Sequence, residues 1–199
     1  MTLQKIAARA GLAVSLATAG CAMAASAATA AGASTGAANA SLAASRTVRA
    51  VSGQDRTFMD QASQINLTEI SLGKYMQAHA ATTTAKKLGA SYARDHTAAQ
   101  ASLRTLASRL HVSLPTTSGA QSESMVSRVE AQTGTDRDLS FAKVSVSGHQ
   151  TAIAVFRKEE STGSNPAVKA YAANYLPMLH MHLKWAEHAE SAIRAMRAK

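Results

Sequence analysis

Phe58, Ala62, Ile65, Glu69, Leu72 and Met76 recur at intervals of four, three, four, three and four residues, and three further stretches repeat the rhythm. That spacing stacks side chains along one face of a helix, so each stretch has to bury one stripe against other helices. The second seam is Leu88, Tyr92, His96, Ala99, Leu103, Leu106 and Leu110, and the third is Phe141, Ser145, His149, Ala152, Phe156 and Glu159. The fourth runs through Val168, Ala172, Tyr175, Leu179, His182, Ala186, Ala189 and Ile193. Much of the 46% hydrophobic content is alanine and only 4% of residues are aromatic, which favours closely approaching helices over a β sandwich or barrel. The expected fold is all-α.

The breaks between seams arrange the helices. Asp55 is placed to cap the first helix, which should end near Ala80, and Thr82 to Thr84 supply a short turn and a cap for the second. His111 to Gly134, with Pro115 and a short helix from Ser122 to Gln132, is too long for a hairpin turn and suits the crossover of an antiparallel four-helix bundle. The third helix starts at Thr135 or Asp136 and ends in the Ser161 to Ser164 turn. Asn165 then caps the fourth, with Pro166 in its first position. Pro177 lies inside that last helix and is expected to kink it ahead of His182. Phe58 and Phe141, Lys86 and Lys169, and Tyr92 and Tyr175 are each 83 positions apart, the mark of two related hairpins.

The first 24 residues read as an export signal. Lys5 and Arg9 precede an apolar core from Ala10 to Gly20, and Ala22-Met23-Ala24 forms a cleavage site. Thr18-Ala19-Gly20-Cys21 offers the alternative of a lipoprotein box with Cys21 lipidated, although Thr18 stands where leucine is usual. Either reading places the protein in the periplasm, outside the cell or on a membrane surface. The apolar core is too short for a comfortable transmembrane helix. Residues 25–54 are small and polar, a flexible Ala/Ser/Thr linker, and 55–196 form the helical domain. Cys21 is the single cysteine, so the domain holds no internal disulfide. The net charge of +9 is spread among acidic residues without basic runs or interleaved aromatics, so nucleic acid is not an expected partner, whereas an anionic envelope surface remains one.

Glu69, His96, His149 and His182 sit on seams that should be apolar, one on each main helix. Imidazoles and a carboxylate converging inside a bundle supply fixed lone pairs for a metal ion. The competing reading is a buried hydrogen-bonded network of the same side chains closed by Tyr92 or Tyr175. Glu69 and His96 lie at similar distances from their turn. His149 and His182, roughly twelve and seventeen residues from theirs, are offset by about 7 Å unless the Pro177 kink absorbs it. Asp95 is a candidate to orient a histidine of a neighbouring helix, and Met178, four residues before His182, could add a soft ligand. Di-iron bundles use Glu-x-x-His twice, and the residues three before His96, His149 and His182 are Ala93, Val146 and Leu179. A mononuclear, histidine-rich site for zinc, copper or nickel is the more consistent metal hypothesis. Glu159 and Glu160 read as a solvated helix end. No G-x-S-x-G, phosphate loop or H-E-x-x-H occurs.

Phe58–Lys74, Tyr92–Ala107, His149–Glu159 and Asn165–Ala186 resemble the domain-of-unknown-function 4142 family, exported bacterial proteins placed with the ferritin-like folds. The most specific pieces are Asp95-His96, the E-x-x-L-G-K of Glu69 to Lys74 and the L-P-x-L-x-x-H of Leu176 to His182. The resemblance implies a ferritin-like antiparallel bundle and brings no established activity. The family's third helix usually carries Asp-His where Gly148 precedes His149 here, and Ser71 replaces a second acid in the first helix. Both departures remove carboxylates. The leading expectation is an exported protein that binds a metal ion or small partner without catalysis. An envelope interaction module without metal is the alternative, and a metal-dependent oxidase with an open position beside Tyr92 or Tyr175 the third.

Overall fold

The computed structural model describes residues 50–198, and these form five α-helices with no strand among them. The export signal, Cys21 and most of the linker lie outside the described residues. Helix α1 spans Gly53–His79, α2 Thr83–Arg109, α3 Ala120–Glu130, α4 Gly134–Thr162 and α5 Pro166–Arg197. The N-cap of α1 is Ser52 rather than Asp55. The Ser52 hydroxyl accepts from the Asp55 N–H, and the Asp55 carboxylate accepts from the Ser52 N–H, a capping box that starts the helix earlier than expected. Thr82 caps α2 and Asn165 caps α5, each through its own side-chain oxygen. The last helix runs unbroken through Pro177 for 32 residues.

Helices α1 and α2 pair along their lengths, as do α4 and α5, while α3 lies against α1 and α4. The core falls into two apolar clusters. One gathers Phe58, Met59, Leu103, Phe156, Tyr171 and Leu179. The other gathers Leu72, Met76, Tyr92, Phe141, Ala189 and Ile193 around the opposite hairpin turn. Phe58 and Phe156 meet edge to face with centroids 4.9 Å apart, and each fully buried ring or branched chain contributes roughly 1.5–3 kcal/mol. The polar seam residues lie on the same helices as these clusters. The three histidines are therefore shielded from solvent, and Glu69 nearly so.

The sequence repeat has a structural counterpart at the turns. The Asp55 carboxylate accepts from the Ser164 and Asn165 N–H groups, at 2.8 and 3.1 Å, and so holds the α4–α5 turn. The Asp138 carboxylate accepts from the Ala81 and Thr82 N–H groups, at 3.1 and 2.7 Å, and holds the α1–α2 turn. Asp55 and Asp138 are 83 positions apart, and so are both pairs of donors. Each hairpin thus pins the turn of the other, and their registers are locked together.

Glu159 is not a solvated helix end, because it is 1% exposed beside Asp55. Burial, and then the hydrogen bond to Asp55, push its carboxyl up to about 7. Burial alone would raise Asp55 too, yet the side-chain and backbone bonds to Ser52 and the backbone bond to Asn165 hold it well below the usual carboxylate range. The pair therefore shares a proton held on Glu159. Because Glu159 is raised in the folded state, its contribution is complete below its ordinary 4.5 and disappears as pH climbs through about 7. Between about pH 5 and about pH 8 the wild type should lose stability relative to Glu159→Gln, which mimics the protonated carboxyl at every pH, because the buried histidines contribute equally to both. Melting curves at the two pH values read it out.

Candidate metal centre

His96, His149 and His182 come together from α2, α4 and α5, with side chains 0–1% exposed. Their ring centroids are 5.8 Å apart for His96 and His149, 5.3 Å for His96 and His182, and 5.3 Å for His149 and His182. One ring nitrogen from each lies within 4.8 Å of the other two. The looser second pair expected from the sequence is not found. Glu69 stands 10 residues before the end of α1 and His96 13 after the start of α2, while His149 and His182 stand 13 and 16 from theirs. The offset is three residues in each hairpin, about 4.5 Å. Two equally staggered hairpins bring their polar residues to one level without a break at Pro177.

The outer nitrogen of every ring is taken. His96 Nδ1 lies 2.9 Å from Asn66 Oδ1, His149 Nδ1 2.9 Å from the Ser145 carbonyl oxygen, and His182 Nε2 3.0 Å from Asp95 Oδ2. A carbonyl or carboxylate only accepts, so in each case the imidazole donates. The Asn66 orientation is itself fixed. Its amide donates to Gln100 Oε1 and Tyr171 Oη, the Tyr171 hydroxyl donates to the Ala99 carbonyl, and the Gln100 amide donates to Ser63 Oγ. With these protons placed outward, His96 Nε2, His149 Nε2 and His182 Nδ1 are left buried and without any partner. Three orphaned lone pairs in one dry volume is an arrangement that folding alone does not reward.

Burial sets the charge state. It pushes the His96 ring well below its ordinary value, assisted by His149 and His182. His182 falls to about 4, since burial outweighs the opposing bond to Asp95. Asp95 is drawn below the usual carboxylate range because its bonds to Arg94 and His182 outweigh partial burial, which acts to raise it. It thus stays ionised as the acceptor that orients His182. Arg94 closes its outer side at 2.7 and 3.0 Å.

Glu69 stands beside the trio rather than within it. Its Oε1 is 3.9 Å from His149 Nδ1 and its buried Oε2 has no partner. Burial raises its carboxyl above the ordinary value against the pull of His149. The Tyr92 ring lies against both His149 and His182, with centroids 4.8 and 4.7 Å away, and its hydroxyl donates to the His182 carbonyl at 3.2 Å. Tyr175 is placed elsewhere, its hydroxyl donating to Ser102 Oγ at 2.8 Å, and Met178 packs on the Phe58 cluster. His180 bonds to Arg157, away from the trio. Asn66 is the residue that sequence reasoning missed. It lies four after Ala62 and three before Glu69, so the row Ala62, Asn66, Glu69, Gly73, Met76 fits the same rhythm as the seam drawn through Ile65 and Leu72.

A family model described as a domain of unknown function (DUF4142) matches residues 38–189. The crystal structure of a DUF305 fragment from Deinococcus radiodurans is similar at 13% sequence identity, over 72% of this chain and 99% of that one, with a TM-score of 0.65. At that identity the likeness bears on the fold alone. No curated protein matches. No helix among the described residues is long and apolar enough to cross a membrane.

Proposed function

The chain belongs to the DUF4142 family, a domain of unknown function, and from the geometry of its histidines we propose that it binds one transition-metal ion without turning over a substrate. The observation that carries this is the set of three unpartnered ring nitrogens whose opposite edges are each held by an acceptor. Outer acceptors of this kind orient a metal-binding imidazole and raise its basicity. Zinc, copper and nickel suit an all-imidazole set. Bonds of about 2.0–2.1 Å would bring the nitrogens closer than they stand now, so the rings draw inward on loading. Glu69 serves as a carboxylate beside the site, and Met178 and Tyr175 take no part.

The bundle is read as ferritin-like, with α3 in the crossover, and the protein as exported on its first 24 residues. A metal-free envelope interaction module remains the second reading, supported by the basic surface and by Met181, Trp185 and Met196 exposed on α5. Elemental analysis of protein recovered from its own export route decides between the two. The wild type should carry close to one metal per chain and a His96→Ala, His182→Ala double variant almost none, whereas equally low metal in both removes the metal reading. Asp95→Asn should weaken metal affinity by about 10–100-fold while the fold persists, because it replaces the charged acceptor behind His182 with a neutral amide oxygen. Isothermal titration of the metal-free protein measures that ratio.

A further inference from the structure

The histidine trio is 0–1% exposed, so an ion needs a path through the protein to reach it. Three approaches touch the residues around it. On the α2 side, Asp95 is already bound by the Arg94 guanidinium, a cation standing across the way in. Near Trp185, whose ring lies 5.5 Å from His182, a pocket of about 310 Å³ is lined by Lys87 and His188 and has no acid. The third is a pocket of about 410 Å³ between α1, α3 and α4. Its wall includes Ile65, Met125 and Val144, and Glu69 is its one ionisable residue.

This last pocket has no lysine, arginine or histidine in its lining, in a chain with 21 Lys and Arg residues and a net charge of +9. Its acid is 7% exposed, with Oε2 unpartnered and Oε1 3.9 Å from His149. Gly148, next to His149, leaves the wall open at the same point. A Cβ built there would meet only Glu69 Oε1, at 3.7 Å. Of the three approaches this is the one whose lining is free of cations and ends on a carboxylate, so it opposes an incoming metal ion least.

Resting on the metal reading above, we propose that the α1/α3/α4 pocket is the port through which a divalent metal ion reaches the trio, with Glu69 as the carboxylate that captures it and hands it past His149. Glu69 and Gly148 then govern how fast the site loads, and the three histidines govern how tightly it holds.

Trp185 is the single tryptophan and lies against His182, so quenching of its fluorescence by Cu²⁺ follows loading directly. In stopped-flow mixing of Cu²⁺ with the metal-free full chain, Glu69→Gln and Gly148→Leu should each load about tenfold more slowly than wild type, with dissociation constants within about threefold of it. Ser91→Leu, which fills the pocket beside Trp185, should load at the wild-type rate. The proposal is overturned if Glu69→Gln and Gly148→Leu both load as fast as wild type. It is equally overturned if Glu69→Gln weakens equilibrium binding as much as a histidine variant does, since Glu69 would then be a ligand. Failure of the wild type to bind Cu²⁺ at all would instead remove the metal reading beneath it.

Discussion

Metal supplied at about a thousandfold over its dissociation constant should raise the thermal midpoint of the wild type by about 10 °C, and His149→Leu should abolish that rise. The figure follows from roughly 4 kcal/mol of linkage spread over a chain of this size. His149 is the informative position because its outer partner is the Ser145 carbonyl, one turn earlier in the same helix. Leucine there strands no hydrogen-bonded side chain, since Glu69 Oε1 stands 3.9 Å off, and it removes the orphaned Nε2, so the metal-free variant should lie within about 1 kcal/mol of wild type. His96→Leu differs. It strands Asn66 Oδ1 and should cost about 1–3 kcal/mol even without metal. A purely structural histidine network predicts the opposite for His149→Leu, a loss of stability with no metal-dependent shift to lose. Differential scanning calorimetry with and without metal separates the two.

Gly73→Leu should destabilise the protein by about 3 kcal/mol or more, and Gly73→Ala by about 1–3 kcal/mol, in urea unfolding. A Cβ at Gly73 would stand 2.7 Å from the Gly89 carbonyl oxygen and 2.8 Å from the Ala93 nitrogen. One at Gly89 would stand 2.8 Å from the Gly73 carbonyl oxygen. These neighbours are backbone and cannot rotate aside, so α1 and α2 must separate. The usual gain of about 0.5–1 kcal/mol from replacing a helical glycine by alanine does not offset that. Separation also has a functional consequence. Gly73 is one turn from Glu69 and its contact Ala93 three residues before His96, so the variant should loosen Asn66 from His96 and lower metal affinity as well. Gly148→Ala is the control, because its Cβ meets only ordinary van der Waals contact.

The helices were legible because their signals are local. Caps at Thr82 and Asn165, Pro166 in the first turn and the three-four spacing of the seams each act within a few residues. The polar seam was legible for the same reason, since Glu69, His96, His149 and His182 interrupt rows that are otherwise apolar. What sequence could not rank was position along the bundle axis. A shift of one or two residues in a helix end changes the stagger by about 1.5–3 Å, enough to make the second histidine pair look mismatched. Tyr92 and Tyr175 are equivalent in the repeat, but only Tyr92 meets the histidines, and no local property of the two distinguishes them. Glu159 was misread because its environment is made by Asp55, 104 positions away. Asn66 was overlooked because two overlapping rows of α1 both satisfy the helical rhythm.

The central claim is that His96, His149 and His182 hold one metal ion. X-ray absorption at the zinc edge on the loaded full chain tests it most directly. Three imidazole nitrogens are expected at about 2.0–2.1 Å, a signature lost in the His96→Ala, His182→Ala double variant. A shell of oxygen ligands alone, or a spectrum that the double variant leaves unchanged, would contradict it.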